Sequence, residues 1–193
     1  MPKVVDHDVR RAELVAATAA VIAAEGIGAA TIRRVAEAAD CTTGGVTHYF
    51  TSKDEMLLAT LHHVHHRVGR RMLSHLEDGE PAAALRCVLL EALPLDETRR
   101  IEWQVWLAFF GYSSANEDLH AEQKRRYRGW RNLLDHLVDR TAPSRSAAER
   151  RAVVDLITAT IDGLGVQAVL EPSRFSPARV RRVVDLLVEA ASS

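Results

Sequence analysis

An all-helical fold is what this sequence predicts, and three observations carry the prediction. Alanine, the strongest helix former, occurs 29 times in 193 residues. No run alternates apolar and polar residues between turn pairs, so the strand signal is missing. Apolar residues instead recur at i, i+3 and i+4 between capping residues and prolines. The expected layout is a small three-helix unit over residues 1–52 and a helical bundle over 53–193.

The elements follow in order. A first helix is expected from Asp8 to Glu25, with Leu14, Val15, Val21 and Ile22 on its apolar side and Gly26 placed to end it. Thr31 is an N-cap for a short helix carrying Ile32, Val35 and Ala36 and ending near Ala39. After Asp40 and Cys41, Thr42 or Thr43 caps a second short helix that runs to about Tyr49. Ser52 then caps a long helix with Asp54 and Glu55 in its first turn, where the helix dipole favours carboxylates. Its apolar stripe is Leu57, Leu61, Val64, Val68, Met72 and Leu76. Pro81, Pro94 and Pro143 divide the remainder into bundle-length helices. The last two span Ser146 to Leu170 and Pro177 to Ala191.

Composition bounds the function. A net charge of −1 excludes a histone-like binder that works through a global positive field. The two cysteines, Cys41 and Cys87, form no CxxC and suggest a reducing compartment. The N-terminal residues contain no apolar leader segment. The stretch read as longest and least polar, Leu14 to Ile22, is too short to span a bilayer. A soluble cytoplasmic protein without membrane contact is expected. No P-loop, GxGxxG or GxSxG is present, and no nucleophile with a base, so no enzymatic role, cofactor or metal is expected.

The informative stretch is TIRRVAEAADCTTGGVTHYFTSKD, residues 31–54. Two short helices joined by a turn of about four residues are the helix-turn-helix pattern. Ile32, Val35, Ala36, Cys41, Val46 and Phe50 are its expected buried set. Thr42, Thr43, Gly44, Gly45, Thr47, His48 and Tyr49 are small or hydrogen-bonding, with no carboxylate among them. Such a face suits approach to phosphates. Residues 1–56 nevertheless hold six Lys or Arg against eight Asp or Glu, which argues against generic polyanion binding.

This stretch resembles the N-terminal domain of the TetR family of bacterial transcriptional regulators. The carriers are Thr31, the "VAEAA" helix, the "HYF" end and the "SKDEML" start of the next helix. "THYF", "IDGLGVQAVL" and "SPARVRRVVDLLV" are most similar to the BetI-like branch. The resemblance implies that Thr42 to Tyr49 is the recognition helix in the major groove. Thr43, Gly45, Thr47 and His48 would then face base edges or phosphates. Tyr49 and Lys53 would hold the backbone, and Thr31 would add a phosphate contact. Thr47 stands where many relatives have tyrosine, and Asp40 where many have glycine, although aspartate tolerates the left-handed conformation.

Beyond that stretch, seven of the ten aromatic residues lie between Trp103 and Trp130, interleaved with Glu102, Gln104, Asn116 and Gln123. Such stripes are usually core, but those polar neighbours suit a ligand cavity. Its expected lining is His65, Glu102, Trp103, Trp106, Phe110, Tyr127, Trp130 and Asp162. A cationic ligand is expected on the tryptophan faces beside Glu102. His65 suits a pocket residue or a core histidine equally. Asp162 needs a partner, at a pocket or across a dimer. His62 and His66 are an i, i+4 pair without a second pair nearby and read as a solvated face, and Glu117-x-x-His120 is only half of a di-iron motif, so no metal site is expected there.

The segment 146–170 is apolar on two sides, at 153, 157, 161, 164 and 168 and at 156, 163 and 170, with Gly163 and Gly165 permitting close approach. A helix with two apolar sides needs two partners, here its own core and a second copy. The functional expectation is a ligand-responsive regulator. As a homodimer it binds a near-palindromic operator, represses, and is released by an effector of unknown identity. The competing expectation is a helical enzyme or small-molecule-binding module whose helix pair is incidental.

Overall fold

A computed structural model describes residues 7–76, 79–113 and 117–192. Residues 1–6, where a leader was sought, and Asn116 lie outside them. Nine α-helices and one 3-10 turn make up the regular structure of the described residues. The N-terminal helices are α1 (His7–Glu25), α2 (Ile32–Ala38) and α3 (Thr43–Thr47), with the 3-10 turn Ile27–Ala29 between α1 and α2. Then come α4 (Lys53–Leu73), α5 (Pro81–Glu91), α6 (Glu97–Tyr112), α7 (Glu117–Thr141), α8 (Ala147–Leu170) and α9 (Pro177–Ser192). The all-helical expectation holds.

Local chemistry sets most boundaries. Thr31, Thr42 and Ser52 are N-caps whose hydroxyl oxygens accept from the backbone N–H three residues on, at 3.1 Å in each case. Ser146 and Glu149 form a reciprocal capping box at the start of α8. Asp40 has φ 47°, the left-handed conformation that lets the chain turn between α2 and α3.

Three hydrophobic cores run up the molecule. Leu14, Val15, Val35, Val46 and Phe50 form the first, and Met56 and Ala59 of α4 complete it. The second joins Val21 and Ile22 of α1 to Leu57, Leu61 and Val64 of α4 and to Val105 and Phe109 of α6. The third lies among α5, α7, α8 and α9, with Leu85, Leu89, Leu134, Leu137, Ile157 and Val184 at its centre. α4 contributes to all three, since Met72 reaches the last. Ile32 and Cys41, expected buried, are only half-buried.

α8, and not the 14–22 stretch, is the described helix long and apolar enough by length and composition to cross a membrane. Its Ile157, Ile161, Leu164 and Ala168 side is buried within the bundle. Its other apolar side stays open, with Leu156 and Leu170 exposed beside Leu186 of α9. Gly163 is open, but Gly165 is not available to a second copy. It is buried against the Trp103 ring of its own chain, which occupies the space a Cβ would need.

Candidate nucleic-acid interface and effector cavity

α3 is anchored by Val46 and Phe50, both fully buried, which turns its other residues outward. Thr31, Thr42, Thr43, Gly44, Thr47 and His48 are exposed. The cap oxygens of Thr31 and Thr42 accept from backbone N–H groups, so each hydroxyl keeps its own proton to donate. Thr47 donates to Gly44 O at 3.3 Å. Tyr49 is half-buried, with its ring 4.5 Å from His7 and 5.1 Å from His48 between centroids.

Two residues of this face make contacts within the chain. Gly45 is half-buried, and a Cβ there would point at Cys41 Sγ and Thr42 Oγ1, both 3.6 Å away, so this position faces the turn. Lys53 is engaged within its own chain, donating from Nζ to Gly28 O at 3.2 Å.

The second site is a cavity of about 510 Å³ enclosed by α4, α5, α6, α7 and α8. Seven of the eight expected ligand residues line it: His65, Glu102, Trp103, Trp106, Tyr127, Trp130 and Asp162. Phe110 does not. Its side chain is turned out and 51 % exposed, because the buried side of α6 at this level is taken by Phe109. Trp106 is the hub of the aromatic wall, with His65 at 4.9 Å, Tyr127 at 5.7 Å and Phe110 at 6.0 Å between centroids. Trp103 is fixed by its indole N–H, which donates to Ala92 O at 2.8 Å.

Charge in the cavity is arranged differently from the expectation. Glu102 is buried and already neutralised, accepting two hydrogen bonds from Arg71 at 2.6 and 3.0 Å. A cationic ligand would have to displace that guanidinium. Asp162 has no such partner. It accepts one hydrogen bond, from Tyr127 Oη at 2.8 Å, and faces no cation in an ion pair among the described residues. Burial pushes its carboxyl above the usual range, and the Tyr127 bond acts in the opposite direction. The same burial and the neighbouring carboxylate push the Tyr127 hydroxyl up. Of the two partners left open for Asp162, the cavity is therefore the one it faces.

His65 has both ring nitrogens buried with no hydrogen-bond partner. Burial, then the Arg126 and His62 charges, lower it to about 3, so the ring is neutral and can donate or accept within the cavity. Sequence reasoning missed Glu122, which is buried, pairs with Arg125 and Arg126, and lies 3.2 Å from His62 Nε2 without a hydrogen bond to it. The i+3 and i+4 spacing to those arginines was the available signal. Burial and the nearby arginines lower the His62 pKa, and no group of three or more metal-ligating side chains exists among the described residues.

Comparison with known proteins identifies the family. Residues 14–60 match the family of bacterial regulatory proteins of the tetR type, and residues 81–192 match the BetI-type transcriptional repressor C-terminal domain. The chain is 32% identical over 192 residues to the HTH-type transcriptional regulator PksA of Bacillus subtilis, covering 98% of this chain and 93% of that protein. It is 34% identical to BetI of Paraburkholderia phytofirmans, covering 96% and 94%. A Rhodococcus transcriptional regulator superposes with a TM-score of 0.85 at 28% identity, covering 94% of this chain and 95% of that one. A Saccharomonospora viridis regulator, solved in complex with choline, has a TM-score of 0.86 at 20% identity, covering 94% and 96%, and shares the fold. The chain belongs to the TetR family: it is a ligand-responsive helix-turn-helix transcriptional regulator and not an enzyme.

Proposed function

We propose that the protein is a dimeric repressor, resident in the cytoplasm with its operator, that leaves DNA when a small organic effector enters the 510 Å³ cavity. Residues 1–52 form the DNA-binding domain in this reading, and 53–193 the effector-binding and dimerising domain. The observation that carries the proposal is the continuity of α4. Its first turns place Met56 and Ala59 in the core under the recognition helix, and its later turns place Val64, His65, Val68 and Met72 around the cavity. A ligand that shifts α4 cannot leave the recognition helix where it was. Effector binding then selects a conformer whose two recognition helices no longer match successive major grooves.

The DNA face is Thr31, Thr42, Thr43, Gly44, Thr47 and His48, with Tyr49 and Lys53 at its edge. The second copy docks on the open apolar side formed by Leu156, Gly163 and Leu170 of α8 and Leu186 of α9. Asp162 supports an effector with a cationic group, since a half-buried carboxyl with no cation paired to it among the described residues, walled by Trp106, Tyr127 and Trp130, matches an ammonium. The choline bound by the S. viridis regulator is of that class.

The test is a gel shift with the DNA upstream of the protein's own gene, at physiological salt. A sequence-selective shift is expected, with a homodimer in sedimentation. Choline and related quaternary ammonium compounds should release the DNA from wild type and be at least 10-fold weaker on Asp162→Asn. Absence of a selective shift overturns the repressor reading. Release that is indifferent to Asp162→Asn overturns the cationic effector.

A further inference from the structure

α7 carries a second, outward-facing site that neither the DNA face nor the effector cavity uses. A depression of about 560 Å³ shares Tyr127 with the effector cavity and is lined otherwise by Phe110, Ser113, His120, Gln123, Lys124, Arg128 and Arg131. No carboxylate is among these lining residues. Arg125 and Arg126 on the same helix are compensated by Glu122. Lys124, Arg128 and Arg131 take part in no ion pair among the described residues. Arg131 only lies over the Tyr127 ring, 6.0 Å from its centroid.

Like charges at i, i+4 along a helix repel, so Lys124 and Arg128 weaken α7 unless an anion sits between them. In a chain of net charge −1 this is a local concentration of positive charge. Gln123 supplies a second, independent observation. It is only 6 % exposed, it lines the depression, and neither end of its amide has a hydrogen-bond partner among the described residues. A buried amide left unsatisfied is destabilising, and a ligand offering both a donor and an acceptor relieves it. Phe110 adds an exposed ring at the rim, edge-on to Tyr127 at 6.3 Å.

We propose that this depression binds a phosphorylated, ring-bearing metabolite of the nucleotide type. Its phosphates lie against Lys124, Arg128 and Arg131, its ring lies on Phe110, and a polar ring edge meets Gln123. Three fixed cations with no acid call for more than one negative charge, which a phosphate ester carries and a single carboxylate does not. Tyr127 forms a wall of both cavities, so occupancy here bears on the ring that holds Asp162.

The experiment is isothermal titration calorimetry of the full chain with ADP, pyrophosphate and adenosine as probes. Wild type should bind ADP in the micromolar range, pyrophosphate at least 10-fold more weakly, and adenosine not measurably. Lys124→Gln/Arg128→Gln, both at exposed positions, should lose at least 10-fold for ADP while melting like wild type. Gln123→Leu should lose ADP more than pyrophosphate. Equal ADP affinity in wild type and the double variant overturns the site. Pyrophosphate binding as tightly as ADP overturns the organic ligand and leaves an inorganic-anion site. Stoichiometric displacement of ADP by operator DNA assigns the basic ridge to the DNA surface and overturns the proposal.

Discussion

Arg71 of α4 and Glu102 of α6 are joined by two parallel hydrogen bonds, Nη2 to Oε2 at 2.6 Å and Nη1 to Oε1 at 3.0 Å. Its Glu102 lines the 510 Å³ cavity, and the pair ties the helix shared with the helix-turn-helix unit to the helix that carries Trp103 and Trp106. Arg71 also reaches Glu91 of α5 at 2.8 Å, so one guanidinium holds three helices. The carboxylates push Arg71 further up, and it stays charged at every accessible pH.

Removing the two partners should therefore cost different amounts. Glu102→Gln leaves Arg71 with Glu91 and should cost about 1–2 kcal/mol. Arg71→Met leaves Glu102 buried with only Arg67, 3.8 Å away, and should cost about 3 kcal/mol or more. Urea unfolding of the two variants checks the order. Equal losses would show that burial of Glu102 is not what makes Arg71 necessary.

What was legible in the sequence follows the range of the interactions involved. Caps act over three residues, so Thr31, Thr42 and Ser52 announced their helices. The left-handed turn at Asp40 was readable from residue type alone. The two-sided character of α8 was readable from spacing, and its sides divide as that spacing predicts. The partner of Glu102 was not readable, because Arg71 lies 31 residues away and only packing of α4 on α6 brings them together. Phe110 and Gly165 were misplaced for a related reason. Periodicity places a residue on a face of its helix but does not say which neighbour covers that face.

Gly165 and Gly163 separate those two cases. A Cβ at 165 would overlap the Trp103 ring, and the ring cannot retreat without losing its bond to Ala92 O at 2.8 Å. Gly165→Ala should cost about 1–3 kcal/mol through overpacking. Nothing lies within 4 Å of the Cβ position at 163 in the single chain. There, Gly163→Ala should stabilise the monomer by up to about 1 kcal/mol through helix propensity. If the second copy covers this position, the same change weakens the dimer. Thermal melts and sedimentation equilibrium read the two effects separately.

Asp162 should make stability fall as pH rises. Burial raises its carboxyl pKa in the folded protein. A group raised in this way contributes stability in its protonated form. That contribution is complete below the unfolded value of about 4 and is lost as pH climbs through the folded value. Asp162→Asn keeps an acceptor for Tyr127 and removes the charge. It should melt higher than wild type at pH 8, by on the order of 2–4 °C, and lose that advantage by pH 4. Melting curves across this window check the sign. A difference that does not vary with pH would exclude Asp162 as its source.

Lys53 decides how the protein meets phosphate. All five lysines and arginines between residues 7 and 56 are engaged within the chain. Arg10 pairs with Glu13, Arg33 with Glu37 and Arg34 with Glu25, while Arg11 lies 5.1 Å over Phe50. Lys53 is held by no carboxylate, only by the Gly28 carbonyl at 3.2 Å, so its transfer to a phosphate breaks no ion pair. Each phosphate neutralised adds about 0.9 to the slope of log K against log salt on duplex DNA. Lys53→Ala should lower that slope by about one and weaken all operator sequences alike, whereas His48→Ala should change the preference among them. Fluorescence anisotropy with a labelled operator and two base-substituted versions, from 50 to 300 mM salt, measures both. An unchanged slope in Lys53→Ala would leave the hydroxyls of Thr31, Thr42 and Thr43 as the phosphate contacts, with binding correspondingly insensitive to salt.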